Sequence, residues 1–155
     1  HTWTSSEPVQ NINECSIALL DASDVDSTSL IMDCRTGAHG RAILTWSPDN
    51  DKGTYTPSEV AHPPELIDPN CQGSIINHKN VFYQSNNNST KSREHLTVKS
   101  STDQGKSWSS GVLVTDGPSG YSQLVGLANE PKLGVLFEAD LSNEGIVFVQ
   151  FTPDQ

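Results

Sequence analysis

The sequence predicts an all-β domain, a β-propeller of about three blades. Three observations predict it. Short β-rich segments alternate with turn-forming residues. No long segment carries the 3.6-residue apolar period of an amphipathic helix. A turn that closes on an aromatic residue repeats at Trp3, Tyr55 and Trp108, at intervals of 52 and 53 residues. A unit of about 50 residues built from four short strands is one propeller blade. The regular spacing favours this over a β-sandwich, which also uses short strands.

The elements follow in order. The clearest turn is STDQGKSW, residues 101–108. Its Ser and Asp side chains can bond nearby backbone amides, its Gly permits positive φ, and its Trp can tuck back under the hairpin. SPDNDKGTY, residues 47–55, is a degenerate copy, and HTW at residues 1–3 matches the end of the same pattern. NECSIALL, NCQGSII and GYSQLVGL each place a serine just before an apolar run. SLIMDCR, AILTW, NVFYQS, HLTVKSS, GVLVT, LGVLFEA and GIVFVQF are the remaining expected strands. The chain opens in the tail of a turn pattern, without an initiating methionine, and reads as an internal or processed start. Three blades do not close a ring, so the sequence is expected to be part of a longer protein or to pair with another chain.

Bulk properties narrow the function classes. The formal net charge is -10, which argues against a general nucleic-acid surface. A small arginine cluster can still capture an anion, because exposed charges are screened over about 8 Å at physiological salt. No apolar run approaches the roughly 18 residues of a membrane span. The five histidines show no HxH or HxxxH spacing and predict no metal site; no cofactor is expected. Asp49 and Asp51 lack the rest of a calcium loop and fit the degenerate turn better. There is no GxSxG elbow and no glycine-rich phosphate cradle. Arg41 follows GAHG and reads as a hairpin residue. Tyr83 reads as blade packing or as a pocket-lining aromatic. Cys15, Cys34 and Cys71 allow one bridge with a free thiol, or three buried thiols. Asn87 and Asn88 head overlapping glycosylation sequons and point to a secreted, lysosomal or other secretory-pathway protein.

STDQGKSW resembles the Asp-box of sialidases (neuraminidases). NECS at 13–16, CR at 34–35, CQGSI at 71–75, FYQSNNNSTKSREHLTV at 82–98, GPSGYSQL at 117–124 and LGVLFEAD at 133–140 resemble further landmarks of that family, in the family's order. The resemblance spans nearly the whole chain. It implies that residues 1–155 form the C-terminal half of a six-bladed sialidase propeller. It also implies hydrolysis, or sometimes transfer, of terminal α-linked sialic acids on sialylated glycans.

The resemblance assigns roles to residues. Tyr121 matches the nucleophile and Glu14 the glutamate that takes its proton; each lies at the start of the first strand of its repeat. Tyrosine is the exceptional nucleophile of sialidases among glycosidases. Arg35 and Arg93 match the second and third arginines that hold the substrate carboxylate. They follow Trp3 and Tyr55 by 32 and 38 residues, at similar places in consecutive repeats. Glu138 matches the glutamate that orients the first arginine. That arginine and the aspartate acid/base precede this sequence in the family order. The chain alone is therefore expected to be inactive. A trans-sialidase, a non-catalytic sialic-acid-binding propeller and a purely structural propeller are the competing readings.

Overall fold

The structure, a computed structural model, describes residues 3–21, 28–127, 132–139 and 145–153. It is all-β. Strands β1 (Ile12–Leu19), β2 (Leu30–Thr36), β3 (Arg41–Asp49) and β4 (Thr54–Pro57) form an antiparallel four-stranded meander. β5 (Ser74–His78), β6 (Val81–Asn87), β7 (Glu94–Ser101), β8 (Val112–Leu127), β9 (Lys132–Ala139) and β10 (Gly145–Phe151) form a six-stranded sheet in sequential order.

The sixteen-residue β8 joins two parts of that second sheet. Its first residues pair with β7 and the stretch from Ser119 onward pairs with β9. The sequence reads GVLVT and GYSQLVGL as separate segments, yet one strand runs through both. Pro118 lies where β8 passes from one partner to the other, and there the missing N–H does least damage to the ladder.

β1, β5 and the second half of β8, which begin the four-stranded meander and the two parts of the second sheet (three meanders in all), lie side by side without a shared backbone ladder. Their edge amides still need acceptors. The serines that precede the apolar runs supply them. Ser16 Oγ accepts from Ile75 N at 3.1 Å, and Ser74 Oγ accepts from Leu124 N at 3.1 Å. Ser122 Oγ lies 2.8 Å from Ser85 Oγ. Each hydroxyl thus ties one repeat to a neighbour.

Two apolar clusters fill the spaces between meanders. Ile31, Ile43, Leu66, Ile75, Phe82 and Trp108 form one. Tyr83, Leu96, Val98, Leu124, Leu133, Val135 and Phe137 form the other. Tyr83 is therefore a core residue, and burial pushes its phenol pKa up. On β9, Leu133, Val135 and Phe137 point into the core while Leu136 points out, the two-residue period of a half-buried strand. Val125, Leu136, Ile146 and Phe148 remain exposed on the last three strands.

The STDQGKSW turn closes through its own side chains. The Asp103 carboxylate accepts from Lys106 N, Ser107 N and Ser107 Oγ. Ser101 Oγ accepts from Gly105 N, whose φ is 80°, and Trp108 Nε1 donates to the Gly105 carbonyl. The degenerate copy behaves similarly: Asp49 accepts from Lys52 N and pairs with Lys52 Nζ at 3.0 Å. The third aromatic of the repeat differs. Trp3 is 93% exposed, whereas Trp108 is 6% exposed. His1 lies outside the described residues.

Candidate functional site

β1 does not pair evenly with β2. Asn13 opposes Arg35 and Ser16 opposes Asp33, so Glu14 and Cys15 together face Cys34. This is a β-bulge, a device that re-aims side chains. Glu14 sits at φ 42°, in the left-handed region. Its carboxylate is turned toward the start of the long second half of β8.

There it meets Tyr121. The phenol donates to Glu14 Oε1 at 2.5 Å. Arg35 Nη1 donates to the other oxygen, Oε2, at 2.6 Å. Arg35 Nε donates to Asn70 Oδ1 at 2.7 Å, which orients the guanidinium. Arg93 completes the group, with its Cζ 5.7 Å from the Tyr121 ring centroid, a cation–π distance. The described structure thus brings Glu14, Arg35, Arg93 and Tyr121 together.

Glu138 reaches the same place by a different contact. Its Oε2 accepts from Tyr121 N at 2.9 Å. Gly120 leaves the room for it: a Cβ there would lie 2.0 Å from Glu138 Oε2. Beside the tyrosine runs a cleft of about 290 Å³, lined in part by the polar Gln72, Gln123 and Glu138 and the apolar Leu136 and Ile146.

The electrostatics are mutual. The hydrogen bond from Tyr121, then that from Arg35, holds the Glu14 carboxyl below the usual range. The same Glu14 contact raises the Tyr121 phenol above 10. The resting pair is therefore a neutral phenol donating to a carboxylate. Chemically it is a weak acid with an adjacent acceptor for its proton and two cations beside it.

Sequence reasoning did not single out several residues that hold this site. Arg41 does begin β3 straight after the β2–β3 hairpin turn, but it is fully buried. It pairs with Asp33 at 2.6 Å and Asp68 at 3.5 Å, and donates to the Cys71 carbonyl. Asp68 in turn accepts from Cys71 N and from Asn86 Nδ2. This network clamps residues 68–73, which carry Asn70 to Arg35 and Gln72 to Ser122 N. The signal in the sequence was CQGSI at residues 71–75, itself one of the family-like landmarks. Cys15 and Cys34 form a disulfide, and Cys71 is a buried free thiol.

Asn87 is fully buried and its Nδ2 donates to the Ser119 carbonyl and hydroxyl. Asn88 is half-buried and accepts from Lys99 Nζ. No group of three or more His, Cys, Asp or Glu side chains suited to a metal occurs among the described residues. Among the described residues no helix is long and apolar enough to cross a membrane.

The family described as BNR repeat-like domain matches residues 1–135. Among solved structures, the chain is similar to a Hadza microbial sialidase, Hz136, with 27% identity and a TM-score of 0.73, covering 92% of this chain and 28% of that one. It is similar in fold to the NanB sialidase of Streptococcus pneumoniae, at 20% identity and TM-score 0.64, covering 80% and 20%. A leech intramolecular trans-sialidase matches at 18% identity and TM-score 0.62, covering 89% and 23%. The chain spans between 20% and 28% of the length of these three proteins.

Proposed function

Because the chain belongs to the BNR repeat-like domain family, we propose that it is the C-terminal half, about three blades, of a sialidase-type propeller, and that it supplies the nucleophile side of an exo-α-sialidase site. The observation that carries this reading is the Tyr121 phenol on Glu14 at 2.5 Å, with Arg35 on the same carboxylate.

Sialic acid bears a carboxylate on its anomeric carbon. An anionic nucleophile would approach against that charge, whereas a neutral phenol does not. Free tyrosine is a poor nucleophile near neutrality, with a pKa of about 10, and needs a base within hydrogen-bond reach. In the proposed first step the Tyr121 oxygen attacks the anomeric carbon and its proton passes to Glu14. The bond to the departing sugar breaks, and an acid from outside this chain protonates the leaving oxygen. Water then reverses the sequence, which retains configuration.

Arg35 links binding to this step. At rest it holds Glu14 as a weak base. A substrate carboxylate taken up by Arg35 and Arg93 competes for the guanidinium, so Glu14 loses a donor and becomes a better proton acceptor. Bidentate guanidinium–carboxylate pairing suits this role.

The apolar face left open by Val125, Leu136, Ile146 and Phe148 supports a partner, the N-terminal half of the propeller, on the same precursor or a separate chain. The missing acid and first arginine would come from it, so this chain alone is inactive. The Cys15–Cys34 bridge supports a secretory or lysosomal compartment. Transfer to an acceptor sugar uses the same residues, and trans-sialidases occur among the similar structures.

The test is the complete protein on a fluorogenic sialoside. Tyr121→Phe should abolish most turnover and keep sialic-acid binding. Binding without release by the unaltered protein would instead identify a lectin. Neither binding nor release would leave a structural propeller. Ordinary sialidase turnover by the isolated 155-residue chain would refute the division of the site.

A further inference from the structure

The bulge that aims Glu14 lacks the support an ordinary strand residue has. Glu14 and Cys15 face the single residue Cys34, so the regular ladder does not fix them. Glu14 also adopts φ 42°, which L-residues rarely take without constraint. Yet its two oxygens must reach Tyr121 and Arg35 simultaneously.

The constraint lies one residue away on each strand. Cys15 follows Glu14, Cys34 precedes Arg35, and the two cysteines are bonded, with Cα atoms 4.1 Å apart. Cys34 is fully buried beside Ala42 and Leu44. Its position is therefore anchored by the core, while Cys15 is exposed. The covalent link carries that anchorage across to the bulge.

We propose that the Cys15–Cys34 disulfide is a positioning element for the reacting group. It locks the bulge so that the Glu14 carboxylate is shared between the Tyr121 phenol and the Arg35 guanidinium. Its value to catalysis rests on the reading of Glu14 as the base. Its effect on geometry does not.

The experiment follows protons rather than turnover. The complete protein carries 13C-labelled tyrosine and glutamate, and the Tyr121 and Glu14 titrations are recorded by NMR for the unaltered protein and for Cys15→Ala. Cys15 is the exposed partner, so its removal leaves Cys34 packed. Tyr121 is expected to titrate lower, toward the ordinary tyrosine value of about 10, and Glu14 higher, while core Tyr83 is unmoved. Leu133→Ala, a destabilising change in the core, should leave both site titrations in place. That separates positioning from general stability. Should Cys15→Ala fail to fold, the C15S/C34V pair refills the buried site and carries the same readout.

Unchanged Tyr121 and Glu14 titrations in a folded, bridge-free variant would overturn the proposal. So would free thiols at Cys15 and Cys34 in the denatured, unreduced protein, read by alkylation and peptide mapping. Either result leaves the sialidase reading intact, because no glycan is involved. Conversely, a complete protein that neither binds nor cleaves sialosides would sink that reading without altering these titrations.

Discussion

Tyr121 Oη and Glu14 Oε1 lie 2.5 Å apart although 107 residues separate them in the chain. No local sequence rule produces this contact. β1 carries one partner and β8 the other, with β5 lying between their meanders. The pair is held by Arg35 on the carboxylate and Glu138 on the Tyr121 amide.

Glu14→Gln removes the proton acceptor and keeps the shape. In the complete protein, turnover of a sialoside should fall by about 10²–10⁴-fold, the usual worth of general-base help. In the isolated chain the Tyr121 phenol should titrate lower, since the Glu14 contact is the largest cause of its raised value. Steady-state kinetics and 13C NMR measure the two effects separately.

Arg35→Ala should raise the Glu14 pKa, because the guanidinium hydrogen bond is among the causes that hold it down. The sign of the pH effect follows. A depressed carboxyl pKa stabilises the folded state above its unfolded value and loses that benefit as pH falls through the folded value. Removing Arg35 moves the loss to higher pH. The contribution to stability is small, since the Glu14 side chain is 33% exposed and solvent-screened. Glu14 titration by NMR reads the shift directly, and weaker sialic-acid binding by the complete protein should accompany it.

Arg41→Ala leaves Asp33 and Asp68 as buried carboxylates without their cation. Breaking a buried pair in this way costs about 3–5 kcal/mol. Urea unfolding of the isolated chain measures it. The Cys71 carbonyl also loses its donor, so residues 68–73 should loosen and amide exchange at Ser122, held by Gln72, should accelerate.

Asp103 tests the turn. Hydrogen bonds from Ser107, Ser101 and Lys106 push its pKa down to about 2. Its stabilising effect is present above the ordinary aspartate value and lost as pH falls toward 2. Asp103→Asn should flatten the acid limb of the stability curve between those values, as followed by Trp108 fluorescence against pH.

Much of this was legible in the sequence for local reasons. The two-residue alternation of LGVLFEA follows from which side of one strand faces the core. The STDQGKSW turn closes through bonds spanning two to four residues, so its composition suffices. The repeating serines marked the places where one meander donates amides to another. Tyr121, Glu14, Arg35 and Arg93 stood out because ordered family landmarks surround them.

What the residues could not declare was partnership at a distance. Arg41 looks like a hairpin charge until Asp68, 27 positions later, folds against it; its burial is tolerable only because two carboxylates arrive together. Three cysteines permit several pairings, and the one adopted depends on a bulge that sets Cys15 opposite Cys34. Trp3 matches the repeat in sequence but stays in solvent. Chemistry along the chain selected the strands, the turns and the reactive residue types, because those depend on near neighbours. Register, burial and the meeting of phenol, acid and guanidinium were decided by the packing of strands far apart in sequence, because desolvation and hydrogen-bond geometry exist only once the sheets have assembled.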